Sequence, residues 1–192
     1  MISLTIDMEW VADHVLQDMV DFFGPYGYPV TMFATHKPNV DIAEYELGIH
    51  PNFSGEDSPK EAIEALLDIY PESNGARSHG LQSSSQLSTE LDASGITYES
   101  NLLMYRCQEI QPIEQPFGTV QLPIYWEDDI WFTYDKGVVN TESLLRPNGL
   151  KIFAFHPNHI AFNTPSAEYY ESNKEAYYAE DTVINELRYD GY

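Results

Sequence analysis

Cysteine is nearly absent: the 192-residue chain contains one, Cys107. A single thiol excludes an internal disulfide and any multi-cysteine zinc site, so metal chemistry would fall to His, Asp and Glu. Basic residues are also scarce, nine Lys and Arg against 31 Asp and Glu, for a formal charge of −22. That imbalance repels phosphate backbones and anionic bilayers, which argues against nucleic acid or a membrane surface as partner. No long apolar run occurs, and the opening MISLTIDMEW lacks the basic start of a secretory signal, so the sequence predicts no membrane insertion and a cytoplasmic location. Disorder is excluded by what the chain does have, 43% hydrophobic and 14% aromatic residues. Its length suits one domain over residues 1–192, and most of its acids read as solvated surface.

Strand-like and helix-like stretches alternate along the chain. Ile2 to Asp7 reads as a buried strand, and Val15, Met19, Phe22 and Phe23 then recur at helical spacing. Gly24-Pro25-Tyr26-Gly27 breaks that helix before a second strand over residues 29–35, and Glu46 to Ile49 reads as a third. Ser58 caps a helix that carries Pro59 at its first position and stops at Pro71. A strand end and turn at residues 75–80, a helix over 85–91, a weak strand at 96–98 and an irregular stretch at 106–118 follow. Residues 120–126 and 150–155 read as strands, and a polar, tyrosine-rich helix is expected over about 166–187. This alternation predicts an α/β fold with a mostly parallel sheet.

The strands end in ionisable residues: Asp7 and Glu9, His36, His50, Arg77 and His79, Glu127 to Asp129, and His156. In parallel α/β folds such ends converge on one rim, where active sites lie. Alternation along a strand would put Asp7 and Glu9 on one face, where two carboxylates can hold a divalent cation, or one can ligate while the other acts as base. For Glu9 an equally simple reading is an acid at the start of the following helix. His14 reads as an ordinary surface or core histidine and His36 is ambiguous. His50 and His79 are better placed, and with one carboxylate they would complete a two-histidine, one-carboxylate site that leaves positions for water and substrate. Zinc first, then manganese, cobalt, nickel or iron, would fit that set. His156 and His159 lack the i, i+4 spacing of zinc-protease pairs and read as loop residues, His156 as a possible acid catalyst and His159 as a second ligand or a substrate contact.

The ordered set of segments resembles the NodB-homology polysaccharide deacetylases, and in particular their WbmS-like branch. The resemblance rests on Thr5-Ile6-Asp7-Met8-Glu9-Trp10, Val30-Thr31-Met32-Phe33-Ala34-Thr35, Glu46-Leu47-Gly48-Ile49-His50-Pro51-Asn52, Arg77-Ser78-His79-Gly80, Trp126-Glu127-Asp128-Asp129 and Phe155-His156-Pro157-Asn158-His159. It implies a distorted (β/α) barrel of about seven mostly parallel strands, and metal-dependent removal of an acyl group from an N-acetylated amino sugar or glycan precursor. Carried over by position, Asp7 would be the base, Arg77 would orient and ionise it, His50 would be a metal ligand and His156 the acid. Asp128 or Asp129 would hold His156 in its charged form, and Trp126 and His159 would contact substrate. The family's second acid and second histidine are replaced here by Met8 and Ser54, so the ligand set is expected to be completed by Glu9 and His79. Were they not to compensate, the chain would be a non-catalytic carbohydrate-binding relative. An amidohydrolase acting on a small non-sugar amide is the other alternative. The aromatic supply, with Trp10, Trp126, Trp131 and fourteen tyrosines, suits sugar stacking under any of these readings.

Overall fold

A computed structural model describes every residue except 56, 136–138 and 192. Strand β1 (Ile2–Asp7) lies inside the sheet between β2 (Val30–Ala34) and β9 (Lys151–Phe155), parallel to both. From β2 the sheet continues through β3 (Glu46–Ile49), β4 (Gly75–Ala76), β5 (Tyr98–Glu99) and β7 (Val120–Gln121), and β8 (Ile124–Glu127) flanks β9. The described pairings are parallel except where β6 (Ile113–Glu114) runs antiparallel along β7. A bridge between Leu103 and Ile124 brings the β8 edge back toward the segment after β5, so the sheet curls into a half-barrel of nine described strands, the distorted barrel that the resemblance implied with about seven.

The two faces of β1 differ. Ile6, with Leu4 and then Met8, joins an apolar cluster against α1 (Asp13–Phe23), which presents Val15, Leu16 and Met19. Thr5 and Asp7 point to the other, inner face, where both are bonded by Arg77. Helix α2 (Pro59–Ile69) starts with a reciprocal Ser58–Glu61 capping box and buries Ile63 and Leu66 beside α3 (Ser85–Ala93). Gly48 leaves room for the Phe33 ring, which lies 4.5 Å under the Arg77 guanidinium. No helix among the described residues is long and apolar enough to cross a membrane.

Three expectations change. The strand over 120–126 splits into β7 and β8 at Leu122-Pro123, because proline offers no N–H to a ladder. The tyrosine-rich helix ends early, as α7 (Ala167–Tyr177), and resumes as the short α8 (Ile184–Leu187). Glu180-Asp181 opposes the helix dipole there, and Thr182-Val183 is β-branched. The acids of this region are exposed as expected, but its tyrosines turn inward: Tyr177 is fully buried and stacked on Phe162 at 4.3 Å. Finally, His156 and His159 do not lie in a loop. His156 is the N-cap of α6 (Pro157–Ala161), a turn of helix started by Pro157, and His159 lies within it.

Candidate active site

All the strands that deliver the ionisable residues run parallel, so Asp7, His50, Arg77, Asp128 and His156 meet at one rim. Past the strand ends the ladder continues, His50 N–H to the Ala34 carbonyl at 2.8 Å and Arg77 N–H to that of Ile49 at 3.0 Å, which fixes these side chains on rigid backbone.

Asp7 is 3% exposed and accepts a 2.8 Å bond from Arg77 Nη1 at Oδ1. Arg77 is fully buried and spends its other donors on Thr5 Oγ1 at 2.8 Å, the Ser100 carbonyl at 3.1 Å and Ser100 Oγ at 2.9 Å. A guanidinium held on so many sides cannot swing away, so the orientation of Asp7 is set by the fold. Oδ2 of Asp7 takes no hydrogen bond among the described residues.

Glu9 arrives by a different route from the strand alternation expected. β1 ends at Asp7, Met8 is buried in the core, and Glu9 sits at φ +50°, a left-handed turn that non-glycine residues rarely adopt. Its carbonyl accepts a bond from the Thr35 hydroxyl, and its carboxylate turns inward. Oε1 then lies 3.3 Å from His50 Nε2 and 3.1 Å from His79 Nδ1. These three side chains bring one donor atom each to within 4.8 Å of one another. Burial alone would push the Glu9 carboxyl up, but the His50 imidazole, with His156 and His79 farther off, holds it below the usual carboxylate range.

His50 decides what this cluster is for. It is 2% exposed, yet neither ring nitrogen has a hydrogen-bond partner among the described residues; the nearest carboxylates are Glu9 and, 4.0 Å from Nδ1, Asp7. Buried polar atoms without partners are rare and costly, and a divalent cation coordinated by imidazole removes that cost. One carboxylate and two imidazoles suit zinc and its neighbours, so the residues present fit such a metal. Ser54, at the family's usual second-histidine position, is exposed and bonded to Gln82, away from the cluster.

The second group faces it. His156 Nδ1 is 2.7 Å from Asp128 Oδ1, and Asp128 Oδ2 accepts the His156 backbone N–H at 2.8 Å. Burial by itself would lower the His156 pKa; the charge and hydrogen bond of Asp128, helped by Asp129 and Asp7, outweigh it and hold the ring well above the usual imidazole range. Asp129 pairs with His159 Nε2 at 2.7 Å, and His159 Nδ1 lies 3.2 Å from the Thr164 hydroxyl. Both nitrogens of His159 are thus occupied.

Trp126 lies on the outer side of β8, 5% exposed and packed on Phe153 and Phe155, turned away from the face that carries Asp7. His36, bonded to Thr35 at 2.9 Å, and His14 join neither cluster. Two side chains at the rim had no role in the sequence reading: Glu127, placed there only among the strand-end acids, and Tyr178. Glu127 keeps Oε2 buried without a partner, and burial, with Asp7, Asp128 and Asp129 against only His156, pushes its carboxyl up to about 7. Tyr178, at the end of α7, has its hydroxyl 3.4 Å from Asn158 Nδ2, and burial, then the Tyr170 hydroxyl at 3.3 Å, and last Glu9 and Asp129, push its phenol up. No local pattern marks Tyr178; the acidic run itself was the available signal for Glu127.

A model of the WbmS-like polysaccharide deacetylases matches residues 4–174. Among solved structures, a protein from Bordetella bronchiseptica described as a polysaccharide deacetylase involved in O-antigen biosynthesis superposes with a TM-score of 0.91, at 29% identity, over 99% of this chain and 84% of its own. A protein from Mycobacterium smegmatis described as a polysaccharide deacetylase (TM-score 0.52, 16% identity, 81% of this chain and 77% of that one) is similar in fold. So is a 4-α-glucanotransferase from Thermococcus litoralis (0.52, 14%, 89% and 35%). Among curated proteins none matches.

Proposed function

The chain belongs to the WbmS-like polysaccharide deacetylases, and from that membership we propose that it is a metal-dependent hydrolase that removes an N-acetyl or related acyl group from an amino sugar of a glycan precursor. The observation that carries metal dependence is His50, buried with both nitrogens unpartnered beside Glu9 and His79. The family and the fold support the reaction class, and the O-antigen role given for the Bordetella relative supports a glycan precursor as substrate.

A divalent metal, zinc foremost, would be held by Glu9, His50 and His79, and when bound supplies a Lewis acid that acidifies water and polarises a carbonyl. The remaining chemistry falls to the chain. Asp7, oriented by Arg77, takes the proton of the attacking water on its free Oδ2 as the water oxygen bonds to the acyl carbon. His156, kept charged by Asp128 on Nδ1, presents Nε2 and gives its proton to the sugar nitrogen as the C–N bond breaks, releasing a carboxylic acid and a free amine. Asp129 and His159 pair with each other and with the edge of this acid, and hold α6 against α4 (Asp128–Tyr134).

The test is to incubate the purified protein with zinc, cobalt, manganese or nickel, and to measure bound metal and acetate release from N-acetylated saccharides. The expected result is roughly one metal per chain and saccharide-dependent acetate. Asp7→Asn should keep the metal and lose roughly 10²–10⁴-fold in turnover. A protein that stays metal-free, or releases no acetate from any N-acetylated saccharide, overturns the reading.

A further inference from the structure

The structure separates three tryptophans that look alike in the sequence. Trp126 is buried in the stack with Phe153 and Phe155, and Trp131 is half-buried on α4 against Phe132. Trp10 alone is 45% exposed, and it is exposed at the rim.

Its position follows from the turn at Glu9. With Glu9 at φ +50° and its carbonyl held by Thr35, the Glu9 carboxylate points in toward His50 and His79 while the next residue swings out. The indole meets the His79 ring edge to face, centroids 5.0 Å apart and planes at 76°. An apolar surface of this size, left in water one ring's width from the reacting centre, is what a ligand would cover. The surroundings narrow the kind of ligand: at the rim Arg77 faces Asp7 and His156 faces Asp128, but the chain as a whole carries −22, so an anionic ligand is disfavoured at long range. A pyranose ring is uncharged, and its C–H face complements the negative face of an indole.

We propose that Trp10 is the stacking platform for the sugar ring that carries the acyl group, which makes it a specificity-determining residue selecting uncharged N-acylated pyranosides over acyclic amides. The proposal rests on the deacetylase reading above. The left-handed turn serves both purposes at once, sending one side chain to the metal and the next to the sugar.

The experiment compares kcat/KM for an N-acetylated saccharide with kcat/KM for an acyclic N-alkylacetamide, in wild type, Trp10→Ala, Trp10→Phe and Trp10→Tyr, each with its metal content measured. In Trp10→Ala the saccharide-to-acetamide ratio should fall about tenfold, mostly through KM for the saccharide. Phe and Tyr, which keep an aromatic face, should restore most of it. An unchanged ratio overturns the proposal, because a tryptophan that merely supports His79 would move both substrates, and the metal, together. A wild type that hydrolyses neither substrate overturns the deacetylase reading and this proposal with it, whereas a normal wild type with an unchanged ratio in Trp10→Ala overturns only the proposal.

Discussion

Two groups of acids and histidines share the rim, nearly equal in composition and opposite in bonding. Asp128, Asp129, His156 and His159 close their donors and acceptors on one another at 2.7 Å. In the other group only His79 Nδ1 and Glu9 Oε1 pair, at 3.1 Å, and His50 stays buried with neither nitrogen hydrogen-bonded among the described residues. Both groups bring their donor atoms within 4.8 Å, so proximity of ligand-type residues does not distinguish them. Hydrogen-bond saturation does: each pair of the first group shares a proton, whereas the partnerless His50 is where a cation would bind under the proposed function.

The largest effect should come from breaking the open group. His50→Ala/His79→Ala should bind no zinc in an equilibrium dialysis measurement and lose on the order of 10³-fold or more in turnover. Asp129→Asn/His159→Gln should bind zinc at the wild-type ratio. Metal retained by the first variant or lost by the second would reverse the assignment of the two groups. Next in size, His156→Ala should keep its metal and lose roughly 10²–10⁴-fold in kcat, the range for a general acid.

A smaller effect sharpens the closed group. Against burial, which alone would lower it, Asp128 raises the His156 pKa well above the usual imidazole range, so the proposed acid would keep its proton there. Asp128→Asn keeps the shape and removes the charge, so the ring should lose its proton at lower pH. The alkaline limb of the kcat profile should then move down by about one pH unit or more. An unmoved limb would mean that another group supplies the proton.

Much of this rim was legible because parallel strands deliver their last residues to one end, and Asp7, His50, Arg77 and His156 each follow a strand-like run. Glu9 takes another route than expected: strand alternation would have put it on the face of Asp7, and a left-handed turn instead carries its carboxylate to His50 and His79. Helix α6 was missed although Pro157 is a regular first-turn residue, because five residues show no helical period. The exposure of Trp10 and burial of Trp126 were illegible, since both follow strand-like runs and only packing distinguishes them. Tyr178 lies more than a hundred residues from Glu9 in sequence, so only the fold could bring them near.

Glu127 shows a third way to settle charge at this rim, between the two groups. Its buried Oε2 has no partner, as with His50, yet no pair of imidazoles faces it, and its charged neighbours are mainly acids. Burial and these acids push its carboxyl up to about 7, so a proton takes the part that Arg77 takes for Asp7 and that a cation would take for Glu9 under the proposed function. The sign follows from linkage. A carboxyl that titrates higher when folded than its ordinary 4.5 contributes stability fully present below 4.5 and lost as pH rises through about 7. Glu127→Gln removes the ionisation and keeps the size. Its unfolding free energy should therefore gain on the wild type between pH 4.5 and 8, by about 3 kcal/mol at most, in paired denaturant titrations. A difference that stays flat across that range would show that Glu127 is ionised in the fold, and the rim would then hold one more uncompensated negative charge than this arrangement of cation, ion pair and proton accounts for.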